Sequence, residues 1–141
     1  MSGEEIERRV QSGSLVLTPF DHDCLNGGGY DLRLGMDVTI SPGGHCLVAT
    51  LERVEIGDDI AGTLHLRSSL ARRGIIASLA LVDPGFRGQL TISLLNAGPE
   101  PFEMRRNSRF VQLVLHELSS KTHFVYSGKY QDSQGIVDSH P

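Results

Sequence analysis

Two short runs hold the residues best suited to chemistry: Arg67-Ser68-Ser69-Leu70-Ala71-Arg72-Arg73-Gly74 and, further on, Val82-Asp83-Pro84-Gly85-Phe86-Arg87-Gly88. A guanidinium offers phosphate oxygens a rigid fork of donors, and neighbouring hydroxyls add more. An aspartate close by would hold a water ready to attack phosphorus. Together the runs read as an anion clamp facing a carboxylate. Each also has a plainer reading, a solvated arginine cluster for the first and a turn for Asp83-Pro84-Gly85. Residues 69–73 are adequate helix formers stopped by Gly74, and an anion at the start of such a helix would gain from free N–H groups.

The elements that must position these runs read as mostly β. Residues 2–11 place acids early, basics late and Ile6 and Val10 one helical turn apart, which predicts a short helix closed near Gly13. Beyond it, apolar stretches punctuated by glycine and proline predict strands at 14–18, 31–34, 36–40, 45–51, 62–66, 75–82, 89–95, 102–104, 110–115 and 122–126. Short strands at this spacing suggest a sandwich, jelly roll or barrel, here with an N-terminal helix and one short internal helix. One domain over residues 1–141 accounts for the length. The stretch 127–141 is polar and poor in apolar anchors, and is expected to be a mobile C-terminal tail.

Composition narrows the functions. A net charge of −4 argues against bulk nucleic-acid binding, although Arg67, Arg72, Arg73, Arg87, Arg105, Arg106 and Arg109 make the later half locally basic. Cys24 and Cys46 give no disulfide framework, and the His-x-Glu and Cys-x-x-Cys pairs of the zinc nucleobase deaminases are absent. The N-terminus lacks an apolar signal core and no stretch approaches a membrane span, so a cytoplasmic chain without a membrane partner is expected.

Further pieces accompany the two runs. Gly29-Tyr30-Asp31-Leu32-Arg33-Leu34-Gly35 lies upstream, Asn107-Ser108-Arg109-Phe110-Val111-Gln112-Leu113 lies downstream, and Gly128-Lys129-Tyr130-Gln131 with Gln134-Gly135 stands near the end. In this order the five pieces resemble the motifs of the dUTPase and dCTP deaminase superfamily, across residues 14–135. The last is similar to the tail of the deaminase branch rather than to the glycine-rich arm of typical dUTPases. The resemblance implies a distorted jelly roll assembled as a homotrimer, with active sites shared between subunits and a deoxynucleoside triphosphate as substrate.

The same resemblance implies roles. Asp83 is the general base for water attacking the α-phosphorus. Ser68 is a phosphate or water-positioning donor and Arg72 a phosphate or base-side partner, Arg67 and Ser69 belong to the same substrate-binding run, Gln112 contacts phosphate through its amide, and Asp31 holds water around Mg²⁺. Phe86 packs on the deoxyribose, Ser78 sits in the segment that reads the pyrimidine, and Lys129, Tyr130 and Gln134 belong to a lid that expels water on closing. Read from the residues alone, Gln112 is equally an exposed strand polar group, Asp31 a backbone-capping carboxylate, Phe86 a packing residue and Ser78 a turn serine. His65 stands where relatives have a small residue, and reads as a surface strand histidine.

One position separates the branches. Metal-independent dCTP deaminases carry a glutamate in a Thr-Leu-Glu-Leu strand, and the matching strand here is Gln89-Leu90-Thr91-Ile92-Ser93-Leu94-Leu95-Asn96, with Ser93 in that place. A hydroxyl is a poor proton carrier for deamination. Gln-Leu-x-Ile-Ser is similar to the strand of bacterial dUTPases instead. The reading that follows is Mg²⁺-dependent hydrolysis of dUTP to dUMP and pyrophosphate, with dCTP deamination as the alternative. A non-catalytic deoxynucleotide binder is a third reading, because residues 75–82 make a shorter base-reading segment than relatives place there.

Overall fold

The computed structural model describes residues 1–139, and begins with a capped helix. Ser2 accepts a bond from the Glu5 N–H and opens α1 (Gly3–Ser12), which buries Ile6 and ends at Gly13. The strands follow in order: β1 (Val16–Thr18), β2 (Leu25–Asn26), β3 (Gly29–Arg33), β4 (Val38–Ile40), β5 (His45–Glu55) and β6 (Ile60–Leu66). A single helical turn, α2 (Ser68–Ala71), precedes β7 (Ile75–Ser78), β8 (Arg87–Asn96), β9 (Phe102–Met104) and β10 (Arg109–Glu117).

Two four-stranded antiparallel sheets result, in the orders β1-β5-β8-β7 and β2-β3-β10-β6, with β4 and β9 as a separate pair. The fold is mostly β and jelly-roll-like. Alternation decides which side chains face inward: β8 buries Ile92, Leu94 and Asn96 and leaves Gln89, Thr91, Ser93 and Leu95 on its other face. Ile92 and Leu94 join Val48 and Val54 of β5 and Leu64, Val111, Leu113 and Leu115 of the second sheet in one core.

The sheets are pinned by a buried ion pair. The ladder of β5 with β8 breaks between Ala49 and Arg53, and this bulge turns Glu52 into the interior. There the Glu52 carboxylate accepts from the Arg33 backbone N–H at 2.9 Å and from Arg33 Nε at 2.7 Å. Burial pushes the Glu52 carboxyl up, against the pull of Arg33. The backbone groups freed by the bulge find partners in side chains. Gln89 Nε2 donates to the Thr50 and Leu51 carbonyls, and Thr50 Oγ1 donates to the Glu52 carbonyl while accepting from the Leu90 N–H.

Four expectations change. The strand expected over 75–82 stops at Ser78, because the chain crosses between sheets there: Val82 exchanges both backbone bonds with Gly62 of β6, at 2.9 and 2.8 Å. The strand expected over 122–126 forms no ladder, since the Thr122 and Tyr126 N–H groups donate to the loop carbonyls of Asp58 and Pro84. The internal helix expected over 69–73 is one turn at Ser68–Ala71. β5 runs on to Glu55, because the bulge lets its register resume at Arg53. Residues 132–137, within the stretch expected to be a mobile tail, run beside β8, and positions 140–141 lie outside the described residues.

Replacing Arg33 with Met leaves the Glu52 charge buried and unpaired, and should cost about 3–5 kcal/mol of stability. Denaturant unfolding measures this directly, and a loss below about 1 kcal/mol would mean that water reaches Glu52.

Candidate functional site

β10 lies between β3 and β6, and its register sets Gln112 opposite Asp31 on one side and opposite His65 on the other. Asn26 Oδ1 accepts from Gln112 Nε2 at 2.8 Å, and Asn26 Nδ2 donates to Asp31 Oδ1 at 3.1 Å. The other Asp31 oxygen lies 3.3 Å from Arg67 Nε. Three residues singled out from three separate runs thus form one group. Asn26, which completes it, gave no sign in the sequence beyond opening a glycine-rich turn. Ser68, Ser69 and Arg72 are exposed on the helical turn that follows Arg67.

Asp83 occupies a second place. The Phe86 N–H donates to the Asp83 carbonyl at 3.0 Å across Pro84 and Gly85, and Gly85 has φ +84°, as the third position of a type II turn requires. The half-buried Asp83 carboxylate makes no hydrogen bond or ion pair among the described residues. It borders a cavity of about 420 Å³, walled by Leu47, Leu81, Phe86, Thr91, Tyr126 and Tyr130 among others, and it is the one carboxylate among the described lining residues. The Tyr126 ring meets Phe86 edge-on, with centroids 5.6 Å apart.

The tail forms one wall of this cavity. Ser133 bridges Gly88, Gln89 Oε1 accepts from the Gly135 N–H, and Thr91 Oγ1 accepts from the Val137 N–H. A Cβ on Gly88 would stand 2.8 Å from the Ser133 nitrogen, so glycine there admits the tail. The Lys129 ammonium sits over the Tyr130 ring, and Gln134 is exposed. Asp132 binds Arg53 Nη2 at 2.6 Å and Arg87 Nη2 at 3.0 Å.

The clamp and the carboxylate, expected to face each other, do not meet within one chain. Val82 pairs with Gly62, whereas Arg67 follows Leu66, about 13 Å further along β6. Ser78 is exposed on β7 opposite Ser93, and Ser93 Oγ lies 2.7 Å from His45 Nε2. Tyr126, Gln131 and Asp132 were not foreseen as parts of the site. The complementary charges of Asp132, Arg53 and Arg87 were the available signal, but those residues are far apart in sequence.

Two antiparallel sheets thus carry, at separate places, the group of Asn26, Asp31, Arg67 and Gln112 and a cavity with one carboxylate among its described lining residues. The chain belongs to the dUTPase and dCTP deaminase superfamily: residues 36–118 match the dCTP deaminase-like family model. The dCTP deaminase of Pyrococcus horikoshii is 41% identical over 138 residues, 87% of this chain and 88% of that protein. A probable deoxyuridine 5′-triphosphate nucleotidohydrolase of Sulfolobus islandicus rod-shaped virus 1 is 30% identical over 152 residues, 97% of this chain and 96% of that one. The fold is shared with the 2′-deoxycytidine 5′-triphosphate deaminase of Agrobacterium tumefaciens, at a TM-score of 0.73 and 16% identity over 84% of this chain. This chain spans about half of that structure, 48% of its length. No helix among the described residues is long and apolar enough to cross a membrane.

The Arg87 and Arg53 guanidiniums hold the Asp132 carboxyl at about 2, below its ordinary 3.8. A depressed carboxylate contributes fully above its ordinary value, and the contribution is lost as pH falls through the lowered one. Between about pH 5 and pH 8, protection of the Asp132 amide, which donates to the Arg87 carbonyl, should therefore hold constant after correction for intrinsic exchange. Because the pair is exposed, the same protection should weaken between about 0.05 and 0.5 M salt. Amide hydrogen exchange reads both.

Proposed function

We propose that this chain hydrolyses dUTP to dUMP and pyrophosphate with Mg²⁺, and that Asp83 takes the proton from the water attacking the α-phosphorus. The observation that carries the reading is the acid content of the cavity: Asp83 is its one carboxylate among the described residues, and Ser93 with His45 stands where a deaminase of this superfamily carries glutamate. Hydrolysis asks for one proton acceptor, which Asp83 supplies. Deamination at C4 needs a group that takes a proton from water, gives one to the ring and passes one to ammonia.

The remaining roles follow the two places in the fold. Arg67 and Gln112, with Ser68, Ser69 and Arg72 on the adjoining turn, would receive the triphosphate. Phe86 would lie against the deoxyribose, Ser78 near the base, and Lys129, Tyr130 and Gln134 in the covering tail. Since the two places stand apart along β6, the substrate would bridge the arginine group of one copy and the Asp83 cavity of another in a homotrimer.

The donor set suits Mg²⁺ in one way only. Among the described residues no three His, Cys, Asp or Glu side chains gather into a metal cage. Asp31 is already bonded to Asn26 and paired with Arg67, which fits an ion carried on phosphate oxygens and touched by Asp31 through water. Such an ion, when bound, spreads the negative charge of the phosphate chain.

A second reading, dCTP deamination, is favoured by the 41% identity to a protein named for it. Products separate the two. Purified protein should release pyrophosphate from dUTP only with Mg²⁺ and should release no ammonia from dCTP; ammonia without pyrophosphate would reverse the assignment. Asp83→Asn should lower pyrophosphate release at least about a hundredfold and leave the unfolding midpoint in place.

A further inference from the structure

The Asp83 carboxylate is aimed by the turn that carries it, since it bonds to no other side chain among the described residues. Inside the chain that turn is tied by the Gly85 N–H to the Gly57 carbonyl, and the Ile56 N–H donates to the Phe86 carbonyl. Among the described residues its outer side is tied by the tail and by Tyr126 just before it. Gln131 spans it, with Oε1 accepting from the Arg87 N–H at 2.8 Å and Nε2 donating to the Gly85 carbonyl at 2.9 Å. The Tyr126 N–H donates to the Pro84 carbonyl and the Asp132 N–H to the Arg87 carbonyl, each at 2.7 Å. Asp132 then adds its ion pairs to Arg53 and Arg87.

A primary amide is the group this geometry needs, because it presents a donor and an acceptor side by side and so imitates a neighbouring strand. Carboxylate gives only the acceptor, and an alkyl chain gives neither. We propose that Gln131 is the positioning residue for Asp83, so that seating the tail against the cavity and aiming the carboxylate are one event. The proposal rests on the hydrolytic reading above. An open tail returns the Gly85 carbonyl and both backbone groups of Arg87 to water, and the turn keeps its inner ties and the Tyr126 bond. A displacement of the base by about 1 Å is enough to cost two orders of magnitude in rate.

The test uses the full chain with Gln131→Leu, which keeps the bulk and removes both bonds. Exchange of the Arg87 amide should quicken at least about tenfold, and kcat for pyrophosphate release from dUTP should fall about 10- to 100-fold. KM should change by less than about threefold, with the unfolding midpoint unmoved. Gln131→Glu retains the acceptor for the Arg87 N–H, and should restore most of its protection. Quickened exchange with unchanged kcat would overturn the positioning role and leave the hydrolytic reading standing, as would an effect confined to KM. Unchanged exchange would overturn the clasp itself. If the unaltered protein releases no pyrophosphate, the hydrolytic reading fails instead, and exchange at Arg87 still decides whether the clasp exists.

Discussion

The ion pair of Arg33 with Glu52 is the constraint on which the rest of the structure depends. An isolated carboxylate in an apolar core costs several kcal/mol, so Glu52 is tolerated there only with donors already in place. Arg33 supplies two, from its backbone and its side chain, and the Tyr30 hydroxyl lies 3.4 Å away. β3 is thereby fixed against β5, and one sheet against the other. The bulge that turns Glu52 inward also decides where Arg53 resumes its pairing with Gln89. Arg53 is then in place to hold Asp132, and Gln89 to hold both the bulge and the tail.

That chain of dependence bears on recognition. Gln89 lines the cavity and carries an amide, the group most often suited to reading a nucleobase edge. Its Nε2 is committed to the Thr50 and Leu51 carbonyls and its Oε1 to the Gly135 N–H. Both ends of the amide are thus engaged within the chain. Two hydroxyls of that wall are engaged as well, Thr91 Oγ1 accepting from the Val137 N–H and Ser133 Oγ donating to the Tyr130 carbonyl.

Much of the fold was legible because its cues are local. Alternation marked β9 to the residue, Ser2 and Gly13 bracketed α1, and Asp83-Pro84-Gly85 has the composition of the turn it forms. The clustering of Asp31, Arg67 and Gln112 was legible only as a resemblance, since it depends on β10 lying between β3 and β6. What stayed hidden is nonlocal. A bulge satisfied by a side chain 38 or 39 residues away has no periodic signature, and it lengthened β5 beyond its apolar stretch. The tail is polar and poor in apolar anchors, and the backbone bonds to β8 and the Asp132 charge between Arg53 and Arg87 leave no mark on its composition. The strand expected over 122–126 has the right side chains and no free edge beside it, so its N–H groups bond to loops.

The separation of Asp83 from Arg67 is itself informative about chemistry. A carboxylate beside a triphosphate is repelled unless cations stand between them, and the cations of the motif-bearing run lie at the far end of β6. Arg53 and Arg87, which are nearer in the fold, are spent on Asp132. Within one chain Asp83 therefore borders a largely apolar cavity, away from the group of Asn26, Asp31, Arg67 and Gln112. Phe86 and Asp83 thus belong to one place and Arg67, with Asp31 and Gln112, to another, and the ladder of β6 with β10 holds the two apart.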